Sequence, residues 1–273
     1  MKQELINHLR ALGADLIGFS SVRRWEERNE VPADFRPQSI WPLARTVIVL
    51  GLQMPLPMVD TTPSVLHMEL YRTANQELDG LAYKTVRYLN SRGYPSIFFT
   101  RDGYGSMRAL RENPRAAFSH VVAAVYAGLG TVGANNVLLT KEFGPRVRLI
   151  SVFTSLEVEP DPMQEKDLCI KCGFCVKCCP ANALTMREDR VLGDYDKMAC
   201  LSHSEELVRQ RIYPCGVCTK VCPVGKDREL YQEKTLGKKY LEEKEALAAN
   251  PDDPRYRSWN HIRRYGRAPK IER

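Results

Sequence analysis

No stretch of this 273-residue sequence approaches the 18 or more consecutive apolar residues that a membrane-crossing helix requires, so no membrane partner is expected. The opening residues, Met1-Lys2-Gln3-Glu4-Leu5, lead into a polar amphipathic segment without the apolar stretch of a secretory leader. An arginine pair, Arg23-Arg24, is followed by Glu26, Glu27 and Arg28, where a twin-arginine export signal needs an apolar run. There is no low-complexity tract, and no internal repeat beyond two groups of cysteines. The expected location is the cytoplasm. Thiols stay reduced there, so clustered cysteines point to metal or redox chemistry rather than to disulfides.

The apolar content of 44% is ordinary and sufficient for a sizeable core. The length suits one large domain, or one domain with a small addition. The formal charge of +7 is concentrated at the end of the chain. There, Arg255, Arg257, Arg263, Arg264, Arg267, Lys270 and Arg273 face a single acid, Glu272. Such a basic tail could meet RNA phosphate or an acidic electron donor, or could simply be solvated.

Apolar periodicity predicts a helix over 2–12, with Leu5, Ile6, Leu9 and Leu12 on one face and Gly13 at its stop. Leu16–Phe19, Thr46–Leu52, Ser96–Thr100, Val137–Leu139 and Val147–Phe153 read as strands. Residues 31–42 carry three prolines and read as loop. Ser64–Asn90 reads as a long helix with Leu70, Leu78, Leu81, Tyr83, Val86 and Leu89 in its core stripe, and 116–127 and 234–249 as further helices. Residues 169–222 break this pattern, with short segments and little periodicity.

That break holds eight of the nine cysteines in a recognisable order. Cys169, Cys172, Cys175 and Cys179-Pro180 form C-x2-C-x2-C-x3-C-P, in which three thiolates wrap one face of a 4Fe–4S cubane and the fourth points to a second cluster. Cys200, Cys215, Cys218 and Cys222-Pro223 follow. By that geometry Cys169, Cys172, Cys175 and Cys222 hold one cluster, and Cys179, Cys200, Cys215 and Cys218 the other. Zinc knuckles also use C-x2-C, but the two Cys-Pro pairs and the third in-line cysteine argue against them. Cys178 is spare. Two oxidised clusters at about −2 each would lower the formal charge to about +3. Crossed clusters of this kind form a wire for low-potential electrons, which needs a soluble donor at one end.

Gly128-Leu-Gly130-Thr-Val-Gly133 matches G-x-G-x-x-G. Its context opposes a dinucleotide site, because a helical segment precedes it and no crossover helix fits before Val147. A tight turn, or bare backbone for a large flat ligand, remains. Candidate proton donors are His120 and Tyr104, with Tyr126 reading as packing and Asp102 as part of a turn. His120 suits a general acid near neutrality, or a hydrogen-bonded core histidine.

The run from Tyr126 to Thr140, with Phe143-Gly-Pro-Arg-Val-Arg148, Val152-Phe-Thr154, Cys200-Leu-Ser202 and the cysteine order, resembles the epoxyqueuosine reductases and reductive dehalogenases over about residues 10–225. The resemblance implies an α/β (α+β) chain: a nitroreductase-like, corrinoid-binding core over 1–160, a ferredoxin-like module with two 4Fe–4S clusters over 161–230, and a helix with a basic tail over 231–273. It implies that cobalamin is lined by Gly128, Gly130, Gly133, Asn135, Asn136 and Ser202, and fed by a ferredoxin- or flavodoxin-type donor. Two family features are missing: the proton-donating aspartate, since Pro114 stands at its expected place, and the carboxy-terminal helical repeat. The function implied is a corrinoid-dependent reductase of unidentified substrate. Alternatives are a redox carrier or reactivase with no substrate of its own, and a short epoxyqueuosine reductase relative using its basic tail on tRNA.

Overall fold

The computed structural model describes residues 1–102, 106–230 and 236–266. They divide into two compact units. The first comprises residues 1–53, 74–131 and 147–166; the second comprises 54–73, 132–146 and 167–273. Residues 54–73 and 132–146, expected in the first domain, thus group with the cysteine-bearing segment.

The first unit is built on a four-stranded antiparallel sheet in the order Leu16–Ser21, Thr46–Gln53, Val147–Thr154, Ser96–Phe98. The central pairing runs in register from Thr46 opposite Thr154 to Gln53 opposite Val147. Val47, Ile48, Val49 and Leu50 are fully buried, as expected of a central strand rich in β-branched residues. Leu5 and Leu9 of the helix Lys2–Ala11 pack on Phe19, Ile48, Leu50, Ile150 and Val152. Leu78, Leu81, Ala82 and Leu89 of the helix Val65–Asn90 join the same core. Each fully buried leucine contributes about 1.5–3 kcal/mol. Tyr83, expected in that stripe, is 54% exposed under the Arg87 guanidinium; it lies two residues past Leu81, off the helical face.

The helix expected over 116–127 is shorter, His120–Tyr126, because Ser119 caps it by accepting the Val122 amide. Gly18 positions its end. A Cβ on Gly18 would lie 2.6 Å from the Ala127 carbonyl oxygen and 2.9 Å from Leu129. Asp161 fastens the same strand: it accepts from the Phe19 amide at 2.9 Å and pairs with Lys2 at 2.6 Å. Segments without strong periodicity also form helices, among them Arg23–Arg28 and Met107–Glu112.

Around its cysteines the second unit is made of short elements. Residues 169–222, expected to lack long elements, contain the 13-residue helix Lys197–Arg209, started by Asp196, which accepts from the amides of Met198 and Ala199. Leu236–Ala249 is helical as expected, and Arg257–Arg264 forms a further helix. Among the described residues no helix is long and apolar enough to cross a membrane.

Gly18→Ala is expected to destabilise the first unit by about 1–3 kcal/mol through overpacking. Gly80→Ala, where an added Cβ meets nothing within 4 Å, should be neutral or stabilise by up to about 1 kcal/mol. Urea denaturation of the two variants checks the opposite signs.

Candidate metal centre

The two cysteine groups share a local plan, C-G-x-C-x3-C-P: Cys172-Gly173 to Cys179-Pro180, and Cys215-Gly216 to Cys222-Pro223. In both the glycine is left-handed, with φ +75° at Gly173 and +65° at Gly216, and starts a four-residue helix, Phe174–Lys177 or Val217–Lys220. That turn bends the chain so that successive cysteines face inward. The pattern also explains Cys178. It occupies the place of Val221, and both are 1% exposed in one apolar cluster with Val217. Burial raises the Cys178 thiol pKa, in keeping with an inert packing role.

The other eight thiols sort into two sets by mutual repulsion. Burial, then Cys222, Cys172 and Cys169, push Cys175 up to about 12. Cys222, at about 11, is raised by burial and by the same partners Cys172 and Cys169. In the other set, burial raises Cys215 to about 12, with Cys200 and Cys179 adding to it. Cys218 is raised further by burial and by Cys215, Cys200 and Cys179, with one influence from Cys175 across the sets. None of the nine cysteines is in a disulfide. Cys169, Cys172, Cys175 and Cys222 line one common cavity with Asn135 and Leu139.

This arrangement suits a cluster. Of these eight thiols, Cys175, Cys215, Cys218 and Cys222 resist ionising, and cationic iron would favour their thiolates. Backbone amides already aim at the sulfurs: Ala183 donates to Cys179 Sγ at 3.3 Å, and the amides beside Cys175, Cys215 and Cys222 favour their thiolates.

A buried charge network fixes the last ligand. Arg146, fully buried, donates from Nε and Nη2 to the Asp227 carboxylate at 2.6 Å each, and to the carbonyls of Cys222 and Val224. Arg228 adds a second donor to the Cys222 carbonyl at 3.2 Å and one to the Lys220 carbonyl. Its Nη1 stands 3.6 Å from Asp60, whose burial raises its pKa. Thr62 donates to the Cys215 carbonyl, and His67 packs against Gly216. Sequence reasoning assigned none of these residues a role. Arg146 lay inside a quoted motif, but its partner Asp227 is 81 positions away.

The residues expected to line a corrinoid are placed as follows. Gly128 (φ +74°) faces the Pro162 carbonyl, and a Cβ on Gly133 would meet Asn135 Oδ1 and Leu139 at 2.8 Å. Gly130 is buried. Asn136 donates to the Gly193 carbonyl at 2.9 Å, and Ser202 to the Met198 carbonyl at 2.9 Å. Asn135 donates to the Cys218 carbonyl at 3.4 Å, but its buried Oδ1 has no hydrogen-bond partner.

Of the proton-donor candidates, Tyr104 lies outside the described residues. His120 has both ring nitrogens engaged. Nε2 donates to the Thr100 carbonyl at 2.9 Å, because a carbonyl only accepts, so in the neutral ring Nδ1 accepts from the Ser151 hydroxyl at 2.9 Å. Burial lowers its pKa. Tyr126 is buried against Trp25 and donates to Glu30, as packing requires. In the basic tail, Arg255, Arg263 and Arg264 pair with Asp253, Glu243 and Asp252; Arg267, Lys270 and Arg273 lie outside the described residues.

Residues 168–226 match the model of the 4Fe-4S dicluster domain, so the site belongs to an iron–sulfur protein of the 4Fe–4S class. The chain is a homologue of the reductive dehalogenases and the epoxyqueuosine reductases. It is 30% identical over 229 residues to the tetrachloroethene reductive dehalogenase of Desulfitobacterium hafniense, covering 78% of this chain and 37% of that protein. It is 24% identical over 264 residues to the epoxyqueuosine reductase of Bacillus subtilis strain 168, covering 85% and 66%. The chain therefore spans little more than a third of that dehalogenase. The fold is similar to a reductive dehalogenase whose structure suggests a mechanism for B12-dependent dehalogenation, with TM-score 0.60 and 21% identity over 94% of this chain and 37% of that one. It is also similar to an epoxyqueuosine reductase crystallised with an epoxyqueuosine-modified tRNA stem loop, with TM-score 0.54 and 20% identity over 82% and 65%.

Two outcomes are expected. Cys178→Val should retain about eight iron atoms per chain after anaerobic reconstitution, while Cys222→Ser should lose about four, by iron and sulfide assay. Because folding lowers the His120 pKa from 6.5, the unfolded chain gains a proton there first as pH falls. Stability should therefore drop below about pH 6.5 until the folded value is passed, and His120→Gln should lessen that drop in denaturant titrations.

Proposed function

We propose that this chain is an iron–sulfur reductase whose two 4Fe–4S clusters, when bound, supply one-electron transfer at low potential. Cys169, Cys172, Cys175 and Cys222 would hold one, and Cys179, Cys200, Cys215 and Cys218 the other. The observation that carries this reading is that Cys222 shares one cavity with Cys169, Cys172 and Cys175, while Cys215 is influenced by Cys179 and Cys200, so that Cys179 and Cys222 are exchanged between the two sequence groups. The chain's part is to hold sulfur. Arg146 and Arg228 fix the Cys222 carbonyl, Asp196 starts the helix that carries Cys200, and backbone amides favour thiolate.

The terminal acceptor in this reading is a corrinoid, supported by the B12-dependent dehalogenation named for a protein of similar fold. Within the chain, the unpartnered Oδ1 of Asn135 supports it. Gly128 and Gly133 do not, since their faces are taken by the chain's own atoms. That observation favours a second reading, a redox carrier or reactivase serving a corrinoid on another protein. Substrate reduction would run in the cytoplasm, with a ferredoxin- or flavodoxin-type donor. A role on tRNA would rest on the end of the chain, where three arginines are already paired with acids. In this reading the functional division follows the sequence limits 1–160, 161–230 and 231–273, although residues 54–73 and 132–146 group with the cysteine-bearing segment.

The test is anaerobic reconstitution followed by desalting with cobalamin. About eight irons and about one cobalamin retained per chain, with an altered cobalamin spectrum, is the expected result. Clusters without retained cobalamin, together with reduction of cob(II)alamin on an added partner, would select the carrier. Stoichiometric zinc without sulfide would end both readings.

A further inference from the structure

We propose that a cavity beside Lys220 is a binding site for a small planar aromatic anion. The cavity, about 410 Å3, lies within the second unit and is lined by Leu56, Pro57, Asp60, Lys220, Tyr240 and Trp259, among others. That volume is in the range of small-molecule sites, about 300–1,000 Å3.

Lys220 carries the inference. By the shared cysteine plan it occupies the place of Lys177, two residues after the second cysteine of its group. Lys177 is exposed, as a lysine on a short helix normally is, whereas Lys220 is 3% exposed. Its ammonium lies 4.9 Å from the ring centre of Tyr240 and 5.7 Å from that of Trp259. Among the described residues no carboxylate forms an ion pair with it. The carboxylates that favour its charge, Asp60 and Glu243, stand outside ion-pair distance and face Arg228 and Arg263. A buried ammonium with no close counter-charge of its own is costly, and an anion in the cavity would reduce the cost.

The surrounding groups narrow the ligand. Lys239, exposed at the rim, adds positive charge. Glu243 is already taken by Arg263. Asp60 leans toward Arg228 at 3.6 Å, but its buried Oδ1 accepts no hydrogen bond, so a ligand hydroxyl or amine could donate to it. Leu56, Pro57, Tyr240 and Trp259 supply apolar, partly aromatic walls that suit a flat ring. Tyr240 also packs against the apolar cluster of Cys178, Val217 and Val221, as Cys215 does.

Equilibrium dialysis of the anaerobically reconstituted full chain tests this, with 6-hydroxy-2-naphthoate as probe and its neutral counterpart 6-hydroxymethyl-2-naphthol as control. The acid is expected to bind at least about tenfold more tightly than the alcohol. Lys220→Met should erase that preference, and Trp259→Leu should weaken both compounds. Adding the acid should also change the electron paramagnetic resonance lines of the reduced protein. Equal affinity for acid and alcohol, an unchanged preference in Lys220→Met, or no saturable binding would overturn the proposal. Should Lys220→Met lose its iron, Lys239→Ala at the rim decides: weaker binding of the acid alone supports the site, and unchanged binding overturns it.

Discussion

The structure depends on a repulsion. Sulfurs placed together around the poorly solvated Cys175, Cys215, Cys218 and Cys222 do not readily become thiolates together, because each charge raises the cost of the next. Protein alone does not resolve this; a cationic partner does. The fold around the sulfurs suits that partner, with left-handed glycines that turn the chain at Gly173 and Gly216, amides that point at sulfur, and guanidinium groups on the carbonyl of Cys222. The ion pair of Arg146 with Asp227 is dry on both sides. Removing either partner alone would strand a charge and cost about 3–5 kcal/mol.

The two units are built by different physics. In the first, a β-branched central strand and two amphipathic helices bury hydrocarbon on an antiparallel sheet, and its organisation would be recognisable without any knowledge of chemistry. In the second, helices of four residues bury little by themselves. Its order comes from sulfur, from buried charge and from small apolar plugs such as Cys178, Val217 and Val221.

This difference decides what could be read from the sequence. Sulfur spacing was legible because it is local: the intervals among Cys169, Cys172, Cys175 and Cys179 are set by how a chain wraps a cube. The strand Thr46–Gln53 and the helix Lys2–Ala11 were legible because their burial follows simple periods. The helix Lys197–Arg209 was not, since it buries only Leu201, Ser204 and Leu207 and starts from a cap rather than an apolar stripe. Arg146 with Asp227, and Thr62 with Cys215, were hidden by separations of 81 and 153 residues. The glycine turn misleads for a related reason: its motif specifies bare backbone but not what covers it, and at Gly128 the cover is Pro162.

The exchange of Cys179 and Cys222 has a consequence for biosynthesis. The set begun by Cys169 closes only with Cys222, and the other set needs Cys215 and Cys218. A nascent chain that has emerged as far as residue 214 therefore has neither set complete, although five of the eight sulfurs are already present. On this plan neither centre can be completed until the last three cysteines begin to emerge. A chain cut short before Cys215 would emerge with no finished centre at all.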